Sequence, residues 1–304
     1  MKTPRHAIHG VLLLDKPLGL TSQNAVWRVR KALGAEKAGH SGTLDPLASG
    51  LLPVCLGAAT KFAQVNLESD KTYQVGVTLG QTRVGGDLEG EVLSERPVQV
   101  TDEQLQDALR GFTGAIQQVP PMHSALKHQG KPLYAYARAG QTVERAARSV
   151  VIHRLTLLER DGARLQLEVH CSKGTYVRTL AEDLGEALGC GAHVHALRRL
   201  ACGPLNLQDA ISLDDFEALE VQDRRHRLQS ADALVAHWPV VRLAQVEAAR
   251  FLTGLRRRVN LEDQEAVRVY GPEERAFLGC GHVVAGELIA DRLLSPLEVQ
   301  ALVA

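Results

Sequence analysis

Two hydrophobic rhythms run along the chain, one of about two residues and one of about 3.6, and they divide it into strands and helices. Ile8–Leu14 reads as a strand. Ser22 then caps a helix in which Val26, Val29 and Leu33 share a stripe and Gly34 supplies the stop. The run Leu51–Leu56 is continuously apolar, as in a buried strand, and a short helix begins near Ala59. In KTYQVGVTLG (71–80) Tyr73, Val75, Val77 and Leu79 fall on one face, the pattern of a half-buried strand. Thr101 and Gln104 form a capping box that opens the helix TDEQLQDALRGF. Residues 118–140 read as loop, then a helix ending at Gly140. Residues 149–171 read as a hairpin around Asp161–Gly162. Residues 172–189 run from a glycine-bearing turn into a helix striped by Val177, Leu180, Leu184 and Leu188. Beyond Pro204 the segments SLDDFEALE and SADALVAHW predict short acidic helices, and Trp238–Pro239 marks a boundary. The tail, 240–304, has short strands around glycines. Strands and helices mixed without a strict βαβ rhythm predict an α+β fold, with a mixed or antiparallel central sheet flanked by helices and a small β-rich C-terminal domain.

At 304 residues, with 45% hydrophobic and 23% charged side chains, the composition is that of an ordinary globular protein with room for two domains. No apolar run reaches the ~18 residues of a membrane span, and MKTPRHAIHGVLLLDKPLG lacks the features of a secretory signal. The five cysteines (Cys55, Cys171, Cys190, Cys202 and Cys280) show no framework spacing, which predicts reduced thiols and a cytoplasmic setting. His193 and His195 near Cys190 lack the second ligand pair that a metal site needs, so no metal is expected. The net charge is zero, yet its distribution is uneven. Residues 1–64 carry eight basic against three acidic side chains, and 122–204 carry twelve against seven. The segments 65–121 and 205–304 are each acidic by five. Folded together, the two basic segments would give a neutral protein a face for phosphates.

Both basic segments hold the candidate chemistry. GHSGTLDPLASG (39–50) is a glycine- and proline-bearing loop with one carboxylate, Asp45. Pro46 biases Asp45 to an extended backbone, and the glycines allow tight turns. Such an acid either caps its own turn or faces a substrate as nucleophile or base. A glycosidase would need a second acid in a comparable setting, and none stands out. SKGTYVRT (172–179) puts Arg178 at a helix start, two residues after Tyr176. An arginine beside a lone aspartate would keep it ionised and aimed. Tyr73 could stack on a base or move a proton, or simply belong to the core. Lys16, in DKPLG, suits a phosphate or packing.

In order, the blocks DKPLGLTS, GHSGTLDPLASGLLPVCLGAATKF, KTYQVGVTLG, QVPPMHSALKHQGKPLYAYARAG and SKGTYVRTLAEDLGEALGCGAHVHALRR span most of the chain. They closely resemble the bacterial TruB family, synthases that convert uridine 55 of the tRNA T-loop to pseudouridine. The resemblance implies a pseudouridine synthase fold over 1–238, with 118–140 as an insertion closing on the T-loop, and a PUA-like RNA-binding domain over 239–304. It implies that Asp45 is the catalytic aspartate of the G-H-[ST]-G-x-L-D-P motif and that His40 packs into the RNA beside the flipped nucleotides. Tyr73 would stack on the target base and take part in proton transfer. Arg178 would pair with the aspartate, Tyr176 and Leu197 would line the pocket, and Asp87 would contact flipped nucleotides. Where the family has threonines, LGQTRVGGDLEG has Arg83 and Gly85; Ser41 and His123 are milder departures.

Conversion of uridine to pseudouridine breaks N1–C1′ and rejoins the base through C5 without oxidation, so the reaction as balanced calls for no cofactor. The implied enzyme flips its target base out of the loop, binds tRNA as its partner, needs no obligatory protein and works as a monomer. Two other classes fit the same blocks: a non-catalytic tRNA-binding chaperone, and a guide-RNA-dependent synthase subunit. The segment 118–140 favours the stand-alone enzyme over the second.

Overall fold

A computed structural model describes residues 5–273 and 276–303, and the chain divides into two compact units. The first comprises residues 1–46, 50–68 and 202–304 and the second residues 47–49 and 69–201. Both are α+β, as the periodicities predict.

In the first unit the strand Gly10–Lys16 lies antiparallel to Ala48–Leu56, with Leu14 opposite Leu52. On its other side it runs parallel to Ile211–Ser212, so the sheet is mixed. The first strand begins two residues later than its hydrophobicity suggests. His9 has turned to accept the Ala58 N–H on Nδ1 at 2.9 Å, and Gly10 has a φ of 145° where a Cβ would stand 2.6 Å from the Gln229 carbonyl. The helix Ser22–Leu33 buries Val26, Val29 and Leu33 and ends at Gly34 with φ 64°. Its N-cap is Thr21, not Ser22; the displaced serine has another task, described below. After Gly57 the chain makes a 3₁₀ turn (Gly57–Lys61) before a short helix, Ala63–Leu67.

The C-terminal part of this unit carries a five-stranded sheet in the order Val240–Arg242, Gln264–Tyr270, Phe277–Val284, Glu287–Leu293, Arg257–Arg258. One of its cores joins Val241, Phe251, Val267, Val269 and Leu288. A second core packs Phe277, Cys280 and Leu294 with Val11, Leu51, Cys55 and Phe62. The tail is thus built into the same unit as the N-terminal strands. SADALVAHW forms only the turn Ala233–Val235, because Ala233, Leu234 and Val235 are all buried as a plug in that core, leaving no solvent face. SLDDFEALE forms Leu213–Ala218, and a second short helix follows at Val221–His226.

In the second unit the strands run Ala192–Cys202, Lys71–Leu79, Arg164–Cys171, Arg148–Asp161, Gly114–Gln118 across the sheet. Tyr73 stands opposite Val169, while Val75, Val77 and Leu79 are buried. The hairpin closes over Gly162 and Ala163, one residue later than expected, because Asp161 still pairs with Arg164 and Gly162 takes the left-handed φ. Thr101 and Gln104 form the expected capping box on the helix Asp102–Gly111. Residues 118–140 form a two-rung ribbon, Lys127–His128 with Lys131–Pro132, and then the single helical turn Leu133–Ala137, which stops short of Gly140. Pro120, Pro121 and Pro132 withhold N–H groups that a longer helix would require. The helix Val177–Ala187 buries Val177, Leu180, Ala181, Leu184 and Gly185. All five cysteines are free and buried.

Gly185 fixes how that helix meets the strand after it. A Cβ there would stand 2.2 Å from the Ala192 nitrogen, and the Gly185 carbonyl accepts the N–H groups of Cys190 and Gly191. An exposed helical Gly→Ala change stabilises by about 1 kcal/mol. Here Gly185→Ala is expected to destabilise instead, by about 1–3 kcal/mol from backbone displacement, measured as a lower midpoint in urea unfolding; a raised midpoint would contradict this packing.

Candidate active site

The candidate residues fall into two groups, one in each unit. In the first unit the loop after His40 is held on both sides of Asp45, by a buried serine before it and a backbone N–H after it. Ser22, released from capping, accepts the Leu44 N–H at 2.8 Å and donates to the Leu44 carbonyl at 3.0 Å. The Pro46 carbonyl accepts the Gly19 N–H at 2.8 Å. The backbone on either side of Asp45 is therefore fixed, and its side chain is half-buried. Further back, the Ser41 N–H donates to the Pro53 carbonyl at 3.2 Å, and Asn66 donates from Nδ2 to Ser41 Oγ at 2.7 Å. His40 ends the strand Ala38–His40, opposite Val54, and its Nδ1 accepts the Gly42 N–H at 3.3 Å. Lys16 is fully buried, and its ammonium donates to the carbonyls of Pro17 at 2.9 Å and Leu20 at 2.6 Å. The reading of Lys16 as a phosphate-facing cation does not match this: a buried ammonium clasping two carbonyls shapes the loop before Thr21.

The second group centres on Arg178, which is 5% exposed. Its Nη1 donates to Asp87 Oδ2 at 3.1 Å and to the Gly85 carbonyl at 3.0 Å; Nη2 donates to the His123 carbonyl at 2.9 Å. Asp87 is equally buried, and its other oxygen accepts the Glu89 N–H at 3.0 Å. The acid that the family resemblance assigns to flipped nucleotides is thus engaged with the arginine. The turn that carries it departs from the family's threonines in a compensated way. Gly85 and Gly86 take φ of 80° and 75°, which aims the Gly85 carbonyl at the guanidinium. Arg83 spans the turn, donating to Gln81 Oε1 at 2.7 Å and to the Gly90 carbonyl at 3.1 Å.

Tyr176 is the N-cap residue of the Arg178 helix and is clamped by an amide: its N–H donates to Gln118 Oε1 at 2.7 Å and its carbonyl accepts from Gln118 Nε2 at 3.1 Å. Leu197 is buried in the strand Ala192–Cys202, and Tyr73 is half-buried near the start of its own. His193 Nδ1 meets the Gln81 carbonyl at 3.0 Å and His195 Nδ1 meets Thr78 Oγ1 at 3.0 Å, so both rings are hydrogen-bonded within this unit. Burial lowers the pKa of both.

Sequence reasoning missed the bracing residues Ser22, Asn66 and Gln118. A serine directly after a threonine at a helix start was the one available signal for Ser22, since only one of the two can cap. Asn66 and Gln118 act across long stretches of chain and left no local pattern.

Comparison with known proteins bears on the chain as a whole. Residues 30–177 match the TruB family pseudouridylate synthase N-terminal domain, residues 178–237 the tRNA pseudouridylate synthase B C-terminal domain, and residues 239–294 the pseudouridine synthase II TruB C-terminal domain. The tRNA pseudouridine synthase B of Ralstonia nicotianae is 54% identical, over 96% of each chain. That of Chromobacterium violaceum is 50% identical over 99% of this chain and 97% of its own. Among solved structures, a Cbf5–Nop10–Gar1 complex has a chain that is 26% identical with a TM-score of 0.74, covering 97% of this chain and 88% of that one. An H/ACA RNP bound to a substrate RNA containing 2′-deoxyuridine matches in fold, at 24% identity and a TM-score of 0.73, covering 96% of this chain and 86% of its own. With its matched domains in family order and relatives at half identity along nearly its full length, the chain belongs to the TruB family of pseudouridine synthases.

Proposed function

We propose that this protein isomerises a uridine of tRNA, position 55 of the T-loop, to pseudouridine, with Asp45 as the catalytic carboxylate. The observation that carries the activity is the 54% identity to a tRNA pseudouridine synthase B over 96% of both chains. The loop geometry supports the residue: fixing Leu44 and Pro46 holds the Asp45 backbone at little further entropic cost when substrate arrives.

In this reading the uridine leaves the loop stack, at a cost of a few kcal/mol. His40 fills the space it vacates and Tyr73 stacks on the base. Asp45 is ionised and drives departure of N1 from C1′; the base turns and C5 bonds to C1′. The C5 proton is then released and N1 gains one, so atoms and electrons balance with no oxidant. Arg178 faces the same carboxylate and steadies its charge. Tyr176 and Leu197 line the pocket, Asp87 keeps the guanidinium in place, and Lys16 shapes the neighbouring loop.

Residues 239–304 serve as a PUA-like RNA-binding domain, and 118–140, with Lys127, Lys131, Tyr134 and Arg138, closes on the T-loop. The enzyme works alone as a monomer in the cytoplasm, without cofactor or guide RNA. The greater identity to the synthase B relatives than to the Cbf5 chains supports that choice.

Asp45→Asn is expected to lower single-turnover pseudouridine formation on T-arm RNA on the order of 10³-fold or more, with RNA binding within a few-fold of wild type; a normal rate by nucleoside chromatography would remove Asp45 from the chemistry. Arg178→Lys should cost roughly 10²-fold in the same rate, because an ammonium cannot serve a carboxylate and two carbonyls in one plane. Wild-type turnover in that variant would show that the guanidinium plays no part in the reaction.

A further inference from the structure

One turn along the helix from Arg178, the spacing that brings two side chains to one face, lies Glu182. Its carboxyl rests directly on Gly86: a Cβ built there would meet Glu182 Cδ at 2.7 Å and both oxygens at 2.9 Å. The missing Cβ and the φ of 75° at Gly86 together make the seat for this carboxyl. It therefore lies beside the residue that precedes Asp87, on the same turn whose Gly85 carbonyl holds Arg178. No hydrogen bond or ion pair to the Glu182 carboxyl occurs among the described residues. A half-buried acid with no hydrogen-bond partner among the described residues, set next to an arginine already held by another acid, is costly to keep ionised.

We propose that Glu182 is a positioning residue for Arg178, its carboxyl on Gly86 deciding by its charge how much of the guanidinium's field remains for the reacting carboxylate. The inference rests on the proposed role of Arg178. With Glu182 neutral, Asp87 is the anion that offsets the guanidinium's charge from this turn. With Glu182 ionised, a second anion beside it offsets more of that charge.

The charged groups around Glu182 fit a proton that comes and goes near neutrality. Burial, and then Asp183 on the same helix, push its pKa up; Arg178 opposes, and Asp87 from the turn and Glu186 add to the rise, leaving it at about 7. His123, whose carbonyl accepts from Arg178, and His193, whose ring feels Asp87, are further ionisable groups beside this pair. A carboxyl whose folded pKa lies above its unfolded value stabilises the fold at low pH, and that stability is lost as pH rises from about 4.5 through about 7.

The test compares wild type with Glu182→Gln, a neutral side chain of the same shape, between pH 6 and 8. Two readouts are taken: single-turnover rate on T-arm RNA and thermal unfolding midpoint. The wild-type rate is expected to fall at least about threefold across the window, while the variant holds the low-pH rate throughout. The variant's melting advantage should grow between about pH 4.5 and about 7 and stay constant above that, so the melts extend down to pH 4.5. A variant that melts as expected but keeps the wild-type rate profile overturns the inference, because Glu182 is then a buried acid with no hold on Arg178. A wild type with no rate change across the window does the same. A wild type that makes no pseudouridine at any pH overturns the proposed function, and this inference with it.

Discussion

A guanidinium cannot shed its charge on burial, so a buried arginine must be answered by its surroundings. Arg178 is answered by Asp87 and by two carbonyls, those of Gly85 and His123. Much of the second unit's local structure follows from that requirement. Two successive glycines at positive φ turn a carbonyl toward the cation, Arg83 ties the turn across its mouth, and Gln118 clamps the peptide before the helix that carries Arg178. A buried pair of this kind adds little net stability, since desolvation offsets the attraction. Its value is directional, holding a cation at one place and orientation.

The first unit solves the opposite problem with different means. Asp45 lies on a loop, where backbone freedom would blur its position. Ser22 removes that freedom by holding both backbone groups of Leu44, while Gly19 holds the carbonyl of Pro46. These contacts are short-range and neutral, so they fix geometry without competing for the carboxylate's charge. The tail belongs to the same construction. Phe277, Cys280 and Leu294 share a core with Val11, Leu51 and Phe62, so cutting the chain at residue 239 would open that core. The RNA-binding role proposed for residues 239–304 is therefore better probed by surface substitutions than by deletion.

The sequence revealed the fold most clearly where one periodicity or one cap dominates. The helices at Ser22–Leu33 and Asp102–Gly111 and the strand Lys71–Leu79 lie where their patterns place them. It misled where local pattern and tertiary demand part. Ala233–Val235 reads as helix but is a plug, and the helix read as ending at Gly140 stops at Ala137. The chemistry-bearing types were visible as an isolated acid, an arginine after a turn and a tyrosine on a strand. Their supports were not. Lys16 showed as a cation near a proline turn, and nothing local signalled that its ammonium would be buried and donate to the carbonyls of Pro17 and Leu20. Asp87 showed as an acid in an altered stretch, and only the fold joined it to Arg178.

The most direct test of the account is to incubate the purified protein with unmodified total tRNA, with neither cofactor nor guide RNA, and map pseudouridine by position. The account predicts modification confined to the T-loop uridine at position 55. No modification until a guide RNA or protein partner is added, or modification scattered over other uridines, would contradict it.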